Sequence, residues 1–205
     1  MERVDLTHTF TADMPVYPGD PKSTLIQISS IAKDGFTDHL LTTPMHVGTH
    51  MDAPLHMIEG GKTIDAIELD RFFGPGVLLD ARNKLSVDRD ILDNITVPKG
   101  AFILVYTGQD AKWNKDSYFY GYPLITEAFG TRAVELGVHA VGVDTPSVDE
   151  PPFATHKALL GKGVLVIEHM TNLGTLVNKK FDVIALPPKL TTDGATVRVI
   201  AQTLS

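Results

Sequence analysis

The 205-residue chain has no cysteine. Disulfides, a thiolate nucleophile and thiolate metal ligation are therefore all excluded. The absence also suits a reducing compartment, and a cytoplasmic location is the expectation. No apolar run approaches the roughly 20 residues that span a bilayer. The opening MERVDLTHTF lacks a basic stretch followed by an apolar one. Neither a membrane span nor a signal peptide is expected. Basic residues are in deficit, with 18 Lys and Arg against 25 Asp and Glu, for a formal charge of −7. That balance argues against a nucleic-acid footprint, which needs a clustered basic face. There is no P-loop and no dinucleotide fingerprint, so no nucleotide cofactor is expected. Internal repeats and low-complexity segments are absent too.

What is present reads as one globular unit. The hydrophobic fraction of 43% and charged fraction of 21% are ordinary. The length allows a real core, and a single domain over residues 1–205 is expected. Seven short runs rich in Val and Ile read as strands: STLIQISSI, GVLLDAR, AFILVYTG, HAVGVDT, GVLVIEHM, FDVIALPP and TVRVIAQTL. Several are apolar nearly throughout, as in strands buried on both faces. One segment, LITEAFGTRAVELGVH, has helical spacing, with Thr126 placed to cap it and Gly137 to end it. Weaker helices are expected near IDAIELDRFF and VDRDILDNI. DMPVYPGDP, with three prolines, must be a loop. The sum predicts an α/β domain with a mixed sheet.

The densest chemistry lies in TTPMHVGTHMDAPLHMIEGG, where His46, His50, Asp52 and His56 fall within eleven residues. All four positions are even, so a flat strand would aim them one way. It would also hold the Cα atoms of His46 and His50 about 13 Å apart, near the limit for sharing one ion at about 2.0–2.1 Å each. A turn or short helix around Gly48, Thr49 and His50 is therefore expected. Gly48 permits an unusual backbone angle there. Pro54 would end the turn and send His56 back toward the site. On spacing alone a metal site is favoured over a solvated polar loop.

The stretch HVGTHMDAPLH also resembles the H-x-G-T-H-x-D-x-P-x-H signature of the cyclase family of metal-dependent hydrolases. That family includes bacterial kynurenine formamidases (arylformamidases) and isatin hydrolases. DMPVYPGDP, GVDTPSVD, THKALLGKGVLVIEHMTNL and ALPPKLTTDGATVRVIA resemble further family segments in the right order. The resemblance implies a swivelling β/β/α fold and a homodimer or larger assembly. It implies that His46, His50 and Asp52 hold a first metal. Asp52 would bridge to a second ion held by His156 and Glu168, and His56 would be the general acid/base.

The residues support that reading independently. Glu168 ends an apolar strand, where a carboxylate is costly unless it is paired or binds a cation. Only His, Asp and Glu donors are offered, which suits Zn²⁺ first and Mn²⁺ or Fe²⁺ as alternatives, one or two ions in all. The activity the resemblance implies is hydrolysis of a small amide, with N-formylkynurenine the specific substrate expected. A cyclic amidase like isatin hydrolase, a lactonase or a cyclising dehydratase are alternatives, and a non-enzymatic metal- or small-molecule-binding protein is the rival outside enzymology. The partner is a small molecule, with no nucleic acid and no membrane.

Other residues carry less. Tyr17 either lines a substrate pocket or packs; known formamidases of this kind carry Trp there, and the departure bears on substrate. Ser147 lacks a nucleophile elbow, and Asp144, Ser147 and Asp149 read as a turn that shapes the site. The aromatics of KWNKDSYFYGYP suggest a lid or interface, or a loop pinned to the core by its rings. His8, His39, His139 and His169 receive no role. His169 follows Glu168 directly, so on a strand it would face away.

Overall fold

A computed structural model describes residues 1–93 and 95–204. Nine strands form one sheet. They are β1 (Arg3–Asp5), β4 (His50–Asp52), β5 (Phe73–Asp80), β7 (Phe102–Tyr106), β9 (Ala140–Val143), β10 (Leu165–Glu168), β11 (Phe181–Leu186), β12 (Gly194–Thr196) and β13 (Arg198–Thr203). Two strand pairs stand apart from it, β2 (Thr24–Ser29) with β3 (Asp38–Thr42), and β6 (Ser86–Val87) with β8 (Leu124–Ile125). The order in the large sheet is β1-β13-β11-β5-β7-β9-β10-β4-β12. Its centre, β5-β7-β9-β10, is parallel, and the flanking pairs are antiparallel. All seven strands read from the sequence are present, in a mixed α/β architecture as expected.

The central strands are apolar throughout because both faces are covered. Along β7, Phe102 and Leu104 join one core with Met51, Leu165 and Ile167. Ile103 and Val105 join a second core with Val141, Val166, Phe129 and Leu159. The second core lies under the helices. After α1 (Ile31–Asp34) and α2 (Asp90–Asp93), each a single turn, come α3 (Glu127–Glu135) and α4 (Ala154–Leu160). Thr126 does cap α3, its side chain accepting from Phe129 N, and Gly137 beyond the end has φ +69°. No helix among the described residues is long and apolar enough to cross a membrane.

Two expected helices are smaller than the sequence suggested. IDAIELDRFF forms two separate 3₁₀ turns, Ile64–Ala66 and Leu69–Phe72. Its apolar spacing serves a chain that lies along the first core, with Ile64 and Phe72 buried there. VDRDILDNI keeps only α2, and its residue 94 lies outside the described residues. The first strand pair is unusual in its exposure. Leu25, Ile26, Ile28, Leu40 and Leu41 on β2 and β3, with Ile31 and Phe36 between them, are all exposed.

Candidate metal centre

The site is built on strand register. In β4, His50 and Asp52 point to one face while Met51 enters the core on the other. β10 runs antiparallel beside it, pairing Glu168 with His50 and Val166 with Asp52. Directly opposed residues share a face, so Glu168 joins His50 and Asp52. α4 packs over this face through the second core and delivers His156 from its third residue. The expected turn around Gly48–His50 is instead a bend over residues 45–49, and His50 already begins the strand. Gly48 does take a positive φ of +63°, and a Cβ there would meet Met14 Cε at 2.8 Å. Pro54 opens a 3₁₀ turn, Pro54–His56, rather than ending one. Proline suits a first helical position, and this turn brings the His56 ring to 4.0 Å from that of His46.

Six residues singled out in the sequence thus come together. His46 Nδ1 lies 2.8 Å from Asp52 Oδ1. His50 Nδ1 donates to the Gly48 carbonyl at 2.8 Å. That bond fixes its tautomer and leaves Nε2 facing Asp52 Oδ1 and Glu168 Oε2, each at 3.4 Å. His156 Nε2 is 3.2 Å from Glu168 Oε1 and 3.7 Å from Asp52 Oδ2. Donor atoms of His46, Asp52 and His56, and of Asp52, His156 and Glu168, lie within 4.8 Å of one another in each set. His50, Asp52, His156 and Glu168 are all buried.

The arrangement fits a divalent cation. Buried His50 Nε2 and Asp52 Oδ2 have no hydrogen-bond partner. A neutral His50 would point a lone pair at carboxylate lone pairs, which is costly unless a positive charge lies between them. The electrostatics agree. Burial pulls the His50 and His156 imidazoles down. Asp52 and Glu168 outweigh it at His50, and Asp149, Asp52 and Glu168 at His156, so both stand well above the ordinary value. Burial raises the Asp52 and Glu168 carboxyls, yet the surrounding histidines hold both below theirs. A field that keeps protons on two buried imidazoles is one that favours a cation. At His46 burial is likewise overcome by Asp52, and the value rises. At His56 burial dominates, and the value falls.

Three neighbours complete the surroundings: Asp149, read from the sequence as part of a turn that shapes the site, and Asp193 and His169, to which the sequence assigned no role. Asp149 hydrogen-bonds His156 Nδ1 and also accepts from the backbone of Thr155 and His156, tying the ring to the start of its helix. Asp193 Oδ2 reaches His46 Nε2 at 2.8 Å and His56 Nδ1 at 3.3 Å. His169 does not face away. β10 stops at Glu168, and His169 takes φ +55°, which turns its ring to 5.5 Å from that of His50. Its Nδ1 shares a hydrogen bond with the Tyr118 hydroxyl at 2.9 Å. Burial pushes its pKa down to about 3. No spacing rule flags these residues; Asp149 alone sat in a segment already read as shaping the site.

The remaining candidates resolve simply. Asp144 accepts from Thr107 and Gly108, the backbone-bonding role expected of that turn. Among the described residues no histidine hydrogen-bonds the Ser147 hydroxyl, so it is not poised as a nucleophile. The aromatic loop is pinned to the core. Trp113 stacks on His8 at 4.0 Å, Tyr118 and Tyr122 are buried, and Tyr120 is exposed. Tyr17 stands outside the cluster, 40% exposed and edge-on to Phe119 at 6.0 Å.

Known proteins share this arrangement of sequence and fold. The chain is 29% identical over 202 residues to a kynurenine formamidase of Bacillus mycoides (strain KBAB4), covering 96% of this chain and 95% of that one. A potential metal-dependent hydrolase with cyclase activity superposes with a TM-score of 0.82 at 27% identity, over 98% of this chain and 96% of the other. Isatin hydrolase A from Labrenzia aggregata, bound to benzyl benzoate, gives 0.87 at 25% identity, over 98% and 93%. The model of one family, described as putative cyclase, matches residues 4–150, and the chain belongs to that family.

Proposed function

We propose that the protein is a metal-dependent hydrolase of a small amide, an aryl formamide of the N-formylkynurenine type being its substrate. One observation carries the reading: donor atoms of His46, Asp52 and His56, and of Asp52, His156 and Glu168, cluster around Asp52, and the buried His50 Nε2 and Asp52 Oδ2 among them find no protein hydrogen-bond partner. His46, His50 and Asp52 would hold one ion, and Asp52, His156 and Glu168 a second. Nitrogen and oxygen donors without sulfur suit Zn²⁺ first and Mn²⁺ next. A bound ion supplies Lewis acidity, polarising a carbonyl and lowering the pKa of water.

The chain's own residues supply the rest. Buried strands β4 and β10 hold the carboxylates rigidly, so little reorganisation accompanies reaction. His56, half-buried beside Asp52 and His46, is placed to pass a proton to the leaving nitrogen. The formamidase likeness supports a formyl-amide substrate. The isatin hydrolase likeness, together with Tyr17 in place of tryptophan, supports a cyclic amide as the second reading. We also propose a single domain that self-associates as a homodimer or larger, which the exposed apolar β2–β3 pair supports.

The test is a screen of formyl-anilides, cyclic amides and lactones with metal-depleted and Zn²⁺- or Mn²⁺-restored protein. Turnover of a formyl-anilide that disappears on chelation and returns with metal is expected. Undiminished turnover in metal-free protein would overturn the mechanism. A preference for cyclic amides would move the substrate to the second reading.

A further inference from the structure

We propose that Asp193 is a positioning residue that sets the tautomers of both His46 and His56 through a single carboxylate oxygen. The inference rests on the metal-hydrolase reading and goes beyond it. Oδ2 of Asp193 lies 2.8 Å from His46 Nε2 and 3.3 Å from His56 Nδ1. An ionised carboxylate only accepts hydrogen bonds, so each of those nitrogens carries a hydrogen. In the neutral rings the lone pairs then fall on the opposite nitrogens. For His46 that is Nδ1, which lies 2.8 Å from Asp52 Oδ1, so this neutral tautomer is the one the ring would take with a cation shared by ring and carboxylate, and without one both nitrogens carry hydrogen. For His56 it is Nε2, left free to exchange a proton. One oxygen thereby aims a metal ligand and an acid/base at the same time, with the two rings held 4.0 Å apart and tilted by 30°.

The local backbone is built to hold this carboxylate. The Asp193 carbonyl accepts from Ala53 N at 2.9 Å, the residue immediately after Asp52. Gly194, next along, pairs with Asp52 in the sheet. A Cβ on residue 194 would stand 2.8 Å from the Met51 carbonyl oxygen and 2.9 Å from His46 Cε1. Glycine is thus what lets the His46 ring lie against β12 within reach of Asp193. The Asp193 side chain is 38% exposed, and an exposed ion pair contributes little to stability. Its effect is therefore on ring orientation, the role that outer carboxylates play for metal-binding histidines.

The test compares wild type with Asp193→Ala and Asp193→Glu. In ¹⁵N-labelled protein, histidine ring spectra should show the His56 hydrogen on Nδ1 in wild type and moved toward Nε2 in Asp193→Ala. Zn²⁺ affinity, measured by chelator competition, should fall roughly 10–100-fold in Asp193→Ala. kcat should fall at least as much as the affinity while KM stays within a factor of about two, the pattern of a lost transition-state interaction. Asp193→Glu should recover part of each. If wild type binds Zn²⁺ but Asp193→Ala keeps the same tautomer and affinity, the proposal is overturned and the metal centre stands. A change in melting temperature alone, with tautomer and affinity unchanged, overturns it equally. A wild-type protein that binds no divalent ion overturns the metal-hydrolase reading and this one with it.

Discussion

His8 stacks on Trp113 with its Nε2 buried and unpartnered. Burial, only partly opposed by Asp110, brings its pKa from 6.5 down to about 4. Because the folded value is depressed, the unfolded chain takes up this proton first as pH falls. The neutral ring's contribution is fully present above about 6.5, and it is lost as pH falls toward about 4. His8→Phe keeps a stacking ring and removes the titration, while the backbone bond from residue 8 to Thr49 Oγ1 remains. Melting curves at pH 7.5, 5.5 and 4.5 should show the variant gaining on wild type as the pH drops. A constant difference across the series would contradict this account. At His50 and His156 burial acts in the same direction, but the adjacent carboxylates reverse the outcome.

At the scale of elements, α3 is the helix the sequence specifies most fully. Thr126 accepts from Phe129 N at 3.2 Å and donates to Asp88 at 2.7 Å. Thr126→Ala should therefore cost about 1 kcal/mol, read as a lower urea midpoint with an unchanged slope; a midpoint equal to wild type would show the cap to be idle. Such caps are legible because they act on their own neighbours, as are β7, β9 and β10, whose runs are apolar on both faces. β4 was not legible as a strand, since His50–Met51–Asp52 is three residues long with two polar ones. Its identity comes from β10 and β12, which flank it. The histidine motif itself stood out in the sequence. Asp193 and His169 did not, because one is brought in by a distant strand and the other by a single positive φ.

Over the whole molecule, the β2–β3 pair is the feature that a lone chain leaves unexplained. Leu25 faces Leu41 and Ile26 faces Leu40 across it, all exposed. An isolated two-stranded ribbon is marginal in water, and a contiguous apolar surface marks an interaction site. Sedimentation of the wild-type protein at micromolar concentration should show a dimer or larger, and Ile26→Asp with Leu40→Asp should shift it to monomer with metal content retained. A monomeric wild type would rule out self-association through this ribbon.

β4 lies between β10 and β12, and that placement bears on the order in which the chain is made. Neither neighbour exists when His50, Met51 and Asp52 leave the ribosome. Roughly 110 residues separate β4 from β10, so at about 5–20 residues per second the histidine-rich segment waits on the order of ten seconds for its first strand partner. The full donor set exists only once Glu168 and then Gly194 have been made, near the end of synthesis.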